Sequence, residues 1–363
     1  MMTLRQLAAE PPTLPTQTTW YLTDLAEARG KQELFTRQSP QKLKALREHA
    51  LIESAVSSNR IEGVEVDQSR IATLLFGKSA LRDRDEEEVR GYRDALKLIH
   101  ESGATLPVSE ATIKTLHKLS RGDIWDAGAY KKKDVDIIQT YPDGRSRVRF
   151  KSLSPKDTPG AMVETVDLWQ RGMREQWVPP LVLAAALNLD FLCIHPFRDG
   201  NGRASRLLFL LACYHCGIEA GRYISLERLI EDNKERYYEV LEQSSRRWHE
   251  GKHDPWPTIN FLLYILKQAC KEFEERVGRM TSPRGAKTDM VEQALETVSG
   301  EFGVTDVERL CPGVSRDMIR RLLRDLKAAG RIECLGRGPG AKWRKRVVPL
   351  KEGNKEGSNR NRS

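Results

Sequence analysis

The sequence predicts a mainly α-helical protein with one small β-hairpin and a second, smaller unit at its C-terminal end. Three observations carry this reading. Apolar residues recur at helical spacing through most of the first 277 positions. One segment near 135–150 alternates instead and is split by Pro142-Asp143-Gly144, a turn signal. The basic excess is local: residues 284–363 hold eighteen Lys+Arg against eleven Asp+Glu, and the rest of the chain forty-two against forty. At 363 residues, 39% hydrophobic and 31% charged, the chain has material for about two domains. That composition excludes wholesale disorder, collagen and disulfide-scaffold classes.

The elements follow in order. Residues 1–20 carry Pro11, Pro12 and Pro15 and read as an extended arm. From Trp20 to about 103 the pattern is helical, and the charge run Asp83 to Glu88 reads as a solvated first helical turn. Ser109 with Glu110 opens a helix carrying Ile113 and Leu116. Val135 to Ile138 and Val148 to Phe150 form the hairpin. Helix resumes at about 160, with Leu183, Leu187, Phe191 and Ile194 on one face of a long helix that stops at His195-Pro196. After the loop Phe197 to Gly202, Arg203 opens a second apolar helix, and further helices run to about 277.

Residues 278–286 read as a linker. Beyond them, Val291, Ala294, Leu295 and Val298 mark one helix, Val304 to Val307 begin a second, and Ile319, Leu322, Leu323 and Leu326 mark a third ended by Gly330. Ile332 and Cys334, a glycine-rich turn at 336–340 and the basic run Lys342 to Arg346 complete a hairpin, with Trp343 expected as a hydrophobic plug. Helix, helix, helix and basic hairpin is the order of a winged helix-turn-helix. Net +7 on so small a unit points to an acidic partner such as nucleic acid.

Cys213 and Cys216 are the one close cysteine pair, without a second pair or spaced histidines to complete a zinc site. They read as core residues late on a buried helix. The N-terminus lacks an apolar signal region, and no uncharged apolar run reaches bilayer-spanning length. The expectation is a cytoplasmic protein without a membrane partner.

Chemistry concentrates between His195 and Arg206. Gly200-Asn201-Gly202 places flexible residues where successive amides can face one anion, and the following helix adds its N-terminal dipole. Arg203 and Arg206, at i and i+3, add guanidinium forks suited to phosphate. Asp199 is a hard oxygen ligand suited to Mg²⁺. His195 can accept a hydroxyl proton near neutral pH. The set fits attack of a hydroxyl on a nucleotide phosphate. Spacing alone leaves open a plain tight turn between two buried helices.

His195-Pro196-Phe197-Arg198-Asp199-Gly200-Asn201-Gly202-Arg203-Ala204-Ser205-Arg206 resembles the signature of the Fic family, with every fixed position filled. Gly128-Ala129-Tyr130, Asn233 and Tyr237-Tyr238 are similar to further family positions, and the resemblance covers about residues 20–275. It implies a Fic-type helical bundle that moves AMP from ATP onto a Ser, Thr or Tyr hydroxyl of a target protein. On that resemblance His195 is the base, and Asp199 holds Mg²⁺. The amides of Gly200, Asn201 and Gly202 cradle phosphates, Arg203 and Arg206 bind them, and Tyr237 and Tyr238 border adenine. Val135, Ile137 and Ile138 belong to a flap that aligns the target segment. Lys131-Lys132-Lys133 beside it reads as a solvated edge, an acidic target being the other reading. The implied organisation is an N-terminal helical region (1–103) with an inhibitory helix at about 50–63, a catalytic core (104–277), a linker (278–286), a winged helix-turn-helix domain (287–350) and a disordered tail (351–363).

Ser58, Glu62 and Gly63 share an ordinary helix end on spacing alone. Beside the signature they resemble the family's inhibitory motif, implying that Glu62 pairs with Arg206 and turns ATP away from its productive pose. In the C-terminal unit, Arg316, Arg320, Arg321 and Arg324 lie largely off the apolar face, with Lys342 and Arg344 on the hairpin, as DNA contacts require. Protein docking is the other reading. Still open are a DNA-binding regulator whose Fic domain senses nucleotide, removal of AMP, transfer of another phosphate-containing group, and a homodimer.

Overall fold

In the computed structural model, residues 2–36, 40–67, 70–71, 74, 81–122, 124–140, 145–280, 286–298, 300–311, 314–336, 338 and 340–346 are described. The chain divides between Ser282 and Pro283 into two compact units.

The first unit is helical apart from one hairpin. Its helices are α1 (Thr3–Ala9), α2 (Thr16–Thr36), α3 (Pro40–Ile61), α4 (Arg84–Ser102) and α5 (Glu110–Arg121) before the hairpin. After it come α6 (Thr158–Glu175), α7 (Pro180–Ile194), α8 (Asn201–His215), α9 (Leu226–Asp232), α10 (Lys234–Ser245) and α11 (Trp256–Met280). Strands β1 (Asp136–Thr140) and β2 (Ser146–Lys151) pair antiparallel, with a register shift between Ile137 and Ile138. No helix among the described residues is long and apolar enough to cross a membrane.

At the centre, α7 packs against α6, α8, α11 and α1. Every residue of α7 except Pro180 and Leu192 is buried. The expected one-sided stripe is therefore an all-round apolar surface, as a core-spanning helix requires. The single long helix expected from about 160 is two, α6 and α7, because Pro179 and Pro180 impose a break.

The N-terminal arm is not extended. α1 docks on the core, and the buried Asp190 carboxylate of α7 accepts from the Thr3 and Leu4 amides, both at 2.8 Å. The prolines begin only after α1 ends, and a seven-residue helix is too short for a period to register. Ser109 caps α5 as expected, accepting from Thr112 N at 3.1 Å. The start of α4 is not a solvated turn: Asp83 caps it, while Glu86 and Glu88 are buried. The expected linker begins late, since α11 runs to Met280, and 281–285 lie outside the described residues.

The second unit holds α12 (Ala286–Thr297), β3 (Glu301–Gly303), α13 (Val304–Leu310), α14 (Arg316–Ala328), β4 (Ile332–Cys334) and β5 (Lys342–Lys345). Its antiparallel sheet has the order β3-β5-β4, adding a short strand ahead of α13 to the expected order. Ile319, Leu322, Leu323 and Leu326 of α14 join Val291, Phe302, Val307 and Trp343 in one core. The hairpin turn at 142–144, part of the turn at 336–340 and the tail 351–363 lie outside the described residues.

Candidate active site

The connection between α7 and α8 turns on two left-handed residues. His195 caps α7 with φ 52°, and Gly200 precedes α8 with φ 77°. A Cβ on Gly200 would stand 2.5 Å from Arg121 Cδ, so both φ and space require glycine there. Asn201 closes the loop from inside: its Oδ1 accepts from Phe197 N at 2.9 Å and its Nδ2 donates to Phe197 O at 2.8 Å. Its side chain is a staple, and only its amide is left for a ligand.

His195 Nδ1 lies 3.3 Å from the Leu192 carbonyl, which accepts its proton and leaves the Nε2 lone pair as the base. Burial, with the Lys131 ammonium nearby, lowers His195 to about 4. The ring is therefore neutral at pH 7.

The carboxylate of Asp199 is exposed. Its Oδ2 meets Arg121 Nη2 at 2.9 Å and its Oδ1 accepts from Gly200 N at 2.6 Å. Burial works against its charge, but Arg121, the Gly200 amide and Arg203 outweigh it and hold the carboxyl below its ordinary value. No cluster of three His, Cys, Asp or Glu that could cage a metal occurs among the described residues. One ionised, exposed carboxylate does fit Mg²⁺, which is commonly held by one or two carboxylates and the substrate's phosphates.

The two signature arginines part company. Arg203 is buried, with Nη1 donating to Asn59 Oδ1 at 3.0 Å and to Glu88 Oε2. It lies off the cavity lining, in a cluster where Glu88 also receives Arg121. Arg206 lines the cavity. Its Nε donates to Ser58 Oγ at 2.9 Å, and its Nη2 to the Ser58 carbonyl at 2.9 Å and to Glu62 Oε1 at 2.8 Å.

Glu62 is placed by the way α3 ends. Gly63, with φ 83°, donates to Arg60 O and Val64 donates to Asn59 O, both at 3.0 Å. This pair of bonds closes a Schellman motif with Glu62 at the C-cap. A Cβ on Gly202 would stand 2.3 Å from Glu62 Oε1, so that glycine makes room for the carboxylate.

Part of this set borders a cavity of about 460 Å³, with Asp199, Gly200, Asn201 and Arg203 outside its lining. Glu62, Gly202 and Arg206 line it with His195. Tyr237, Tyr238, Leu241 and Ser245 of α10 form one wall, and Ile137, Ile138, Arg149 and Phe150 of the hairpin another. Tyr238 donates to Ile61 O at 3.4 Å. Val135 lies outside the cavity lining, its carbonyl accepting from Ser152 Oγ at 2.6 Å.

Five functional neighbours escaped sequence reasoning: Glu88, His117, Arg121, Lys131 and Arg149. His117 stacks on Phe197 with ring centroids 3.7 Å apart. Gly128 N donates to its Nδ1 at 2.9 Å, so its Nε2 donates to the Asp199 carbonyl, also at 2.9 Å. Lys131 is buried rather than solvated. It donates to Ser152 Oγ at 2.7 Å and to the Ile194 carbonyl at 3.0 Å, pinning the base of the hairpin beside His195. Burial lowers its ammonium to about 8. Lys132 and Lys133 are exposed, as expected. No local spacing signal marks any of the five, since each is a single residue reaching a partner distant in sequence.

In the second unit, Arg316, Arg320, Lys342 and Arg344 are exposed and face Glu308, Asp317, Asp306 and Glu333 at 3.5, 3.5, 3.8 and 2.6 Å. Arg321 and Arg324 are exposed on α14, and neither pairs with a carboxylate among the described residues.

Residues 107–213 match the Fic/DOC family. The chain is 22% identical over 287 residues to the protein adenylyltransferase Fic of Drosophila melanogaster, covering 72% of this chain and 54% of that protein. It is 27% identical over 207 residues to the protein adenylyltransferase fic-1 of Caenorhabditis elegans, covering 57% and 36%. The chain thus spans about half the length, or less, of these curated relatives. Among solved structures, a Fic family protein of Desulfovibrio desulfuricans aligns with a TM-score of 0.59 at 22% identity, over 94% of this chain and 99% of that one. A Fic domain containing signaling protein of Bacteroides thetaiotaomicron aligns at 0.59 and 23% identity, over 70% and 98%. The likenesses to solved structures show a shared fold, and the match to the Fic/DOC family spans residues 107–213.

Proposed function

We propose that this protein is a protein adenylyltransferase, transferring AMP from ATP to a Ser, Thr or Tyr hydroxyl of a target protein, and that Glu62 holds it in check. The observation that carries the reading is the Glu62–Arg206 ion pair, 2.8 Å long, in the same cavity as a neutral His195. His195 Nε2 accepts the proton of the target hydroxyl as its oxygen forms a bond to the α-phosphorus. Pyrophosphate leaves with the bonding pair of the broken P–O bond. The amides of Gly200, Asn201 and Gly202 receive phosphate oxygens at the start of α8. Asp199 would hold Mg²⁺, whose chemistry is to neutralise phosphate charge. Tyr237 and Tyr238 border the base. The flap residues Ile137 and Ile138 face the acceptor segment, Val135 fixing the strand behind them.

A carboxylate on Arg206 occupies the guanidinium that a γ-phosphate would need, and repels that phosphate. Removing it frees the arginine and leaves His195 its contact with the Leu192 carbonyl. Intact mass after incubation with ATP and Mg²⁺ tests this. Glu62→Gly should gain one AMP unit on itself or on a protein in lysate, while wild type gains little and Glu62→Gly with His195→Ala gains none. Equal transfer by wild type and Glu62→Gly would remove the brake from the reading.

The second unit supports an added role as a winged helix-turn-helix that contacts DNA. Arg321 and Arg324 on α14 favour it, being exposed and without acidic partners among the described residues. The pairs made by Arg316, Arg320, Lys342 and Arg344 are weak surface pairs, which phosphate can displace. Binding to duplex DNA should fall about tenfold or more between 50 and 200 mM salt, and Arg321→Ala with Arg324→Ala should flatten that slope. A salt-independent interaction would assign the unit to protein docking.

A further inference from the structure

Two arginines line the cavity, and one of them has no anion. Arg206 spends its guanidinium on Ser58 and Glu62. Arg149 enters from β2, half-buried, and its Nε is buried without a hydrogen-bond partner. No carboxylate among the described residues pairs with it. Its guanidinium instead lies 5.3 Å over the Tyr238 ring. A buried donor left without a partner is costly, and an anion entering the cavity would offset that cost.

The unmet donor of Arg149, with no carboxylate beside it among the described residues, favours one ligand chemistry, an anion. Tyr238, beneath the guanidinium, donates to the carbonyl of Ile61, the residue before Glu62. The charge of Arg149 also reaches the Cys193 thiol on the cavity wall. A planar guanidinium fork pinned on an aromatic face is suited to bidentate contact with phosphate oxygens. We propose that Arg149 is a second phosphate-binding arginine, supplied by the flap, which takes the polyphosphate of a nucleoside triphosphate. This rests on the reading of the cavity as a nucleotide site. It adds a residue outside the signature loop, and it ties the strand that faces the acceptor to the nucleotide itself.

Calorimetric titration of the full chain with ATP and, separately, adenosine tests the assignment. The proteins are Glu62→Gly, Glu62→Gly with Arg149→Ala, and Glu62→Gly with Arg149→Lys. A charge-assisted hydrogen bond of ordinary strength predicts a loss of ATP affinity of about ten- to a hundredfold for the alanine variant. Adenosine affinity should be unchanged, and lysine should restore part of the loss. Unchanged ATP affinity, or an equal loss for adenosine, would overturn the assignment, the latter moving Arg149 to stacking on the base. If Glu62→Gly bound neither ligand, the nucleotide reading would fall first, and this proposal with it. Matching melting curves for the three variants would separate a binding loss from a folding loss.

Discussion

Arg203 and Arg206 sit one turn apart on α8, and each meets a glutamate from a helix distant in sequence. Glu88 comes from the body of α4, with its side chain 4% exposed, and it also receives Arg121 and Arg84. Glu62 comes from the end of α3, with its side chain 29% exposed, and among the described residues its carboxylate is paired with Arg206 alone. The chemistry of the two pairs is the same. The positions differ: one carboxylate is locked among three cations inside packed helices, whereas the other hangs at a helix end over an open cavity. The first pair can only build the loop. The second can leave by unwinding no more than the end of α3, which is what a brake requires.

The largest effect should therefore follow from breaking the Glu88 side. Glu88→Ala leaves Arg203 buried without a carboxylate and Arg121 with Asp199 alone among the described residues, and such a loss typically costs 3–5 kcal/mol. That is a large share of a total of about 5–15 kcal/mol. Urea unfolding should show it, and Glu62→Gly should cost less, because a single cation loses its carboxylate there and keeps its two Ser58 acceptors. Equal destabilisation by the two variants would dissolve the distinction between scaffold and brake.

Acid should loosen the scaffold side next. His117 is 2% exposed, and burial lowers it to about 4, below the ordinary 6.5. The unfolded chain then binds more protons than the folded one between about 6.5 and 4. Stability is full above 6.5 and falls as pH drops toward 4, by about 3 kcal/mol from His117 alone. His195 and His253, both lowered to about 4, push in the same direction. Urea midpoints at pH 7 and pH 4.5 should differ less for His117→Ala than for wild type. An unchanged difference would show that His117 does not hold the loop through its neutral ring.

This division was only partly legible in the sequence. The loop from His195 to Arg206 announced itself because its constraints are consecutive, whereas Glu62 stood out only beside that loop, since the spacing from Ser58 to Gly63 alone is an ordinary helix end. Glu88 was hidden inside an ordinary acidic run, which reads as solvent-facing until the arginines that bury it are known. Lys131 was hidden in the same way by Lys132 and Lys133. Periodicity reports which face of a helix is apolar, but not that a charge on it will be neutralised by a residue 33 or 115 positions away. The fold followed the same rule. Long apolar helices were visible, whereas α1, seven residues ahead of three prolines, was not.

Two glycine substitutions carry the comparison to its finest point. Gly63 and Gly200 have nearly the same backbone, φ 83° and 77°. A Cβ at Gly63 would meet nothing within 4 Å, so Gly63→Ala costs only the strain of its left-handed conformation, about 1 kcal/mol. That strain is relieved when the end of α3 unwinds and Glu62 leaves Arg206. Since about 1.4 kcal/mol is tenfold, the open fraction should rise about fivefold. AMP transfer should rise with it, short of the level of Glu62→Gly, while the melting midpoint barely shifts. A Cβ at Gly200 would drive into Arg121 and against His117, so Gly200→Ala adds a clash to the same strain and displaces the loop itself. Its transfer should fall to background even with Glu62→Gly present. Should both alanines lower activity alike, the end of α3 would be scaffold like the rest, and Glu62 would not be a part that moves.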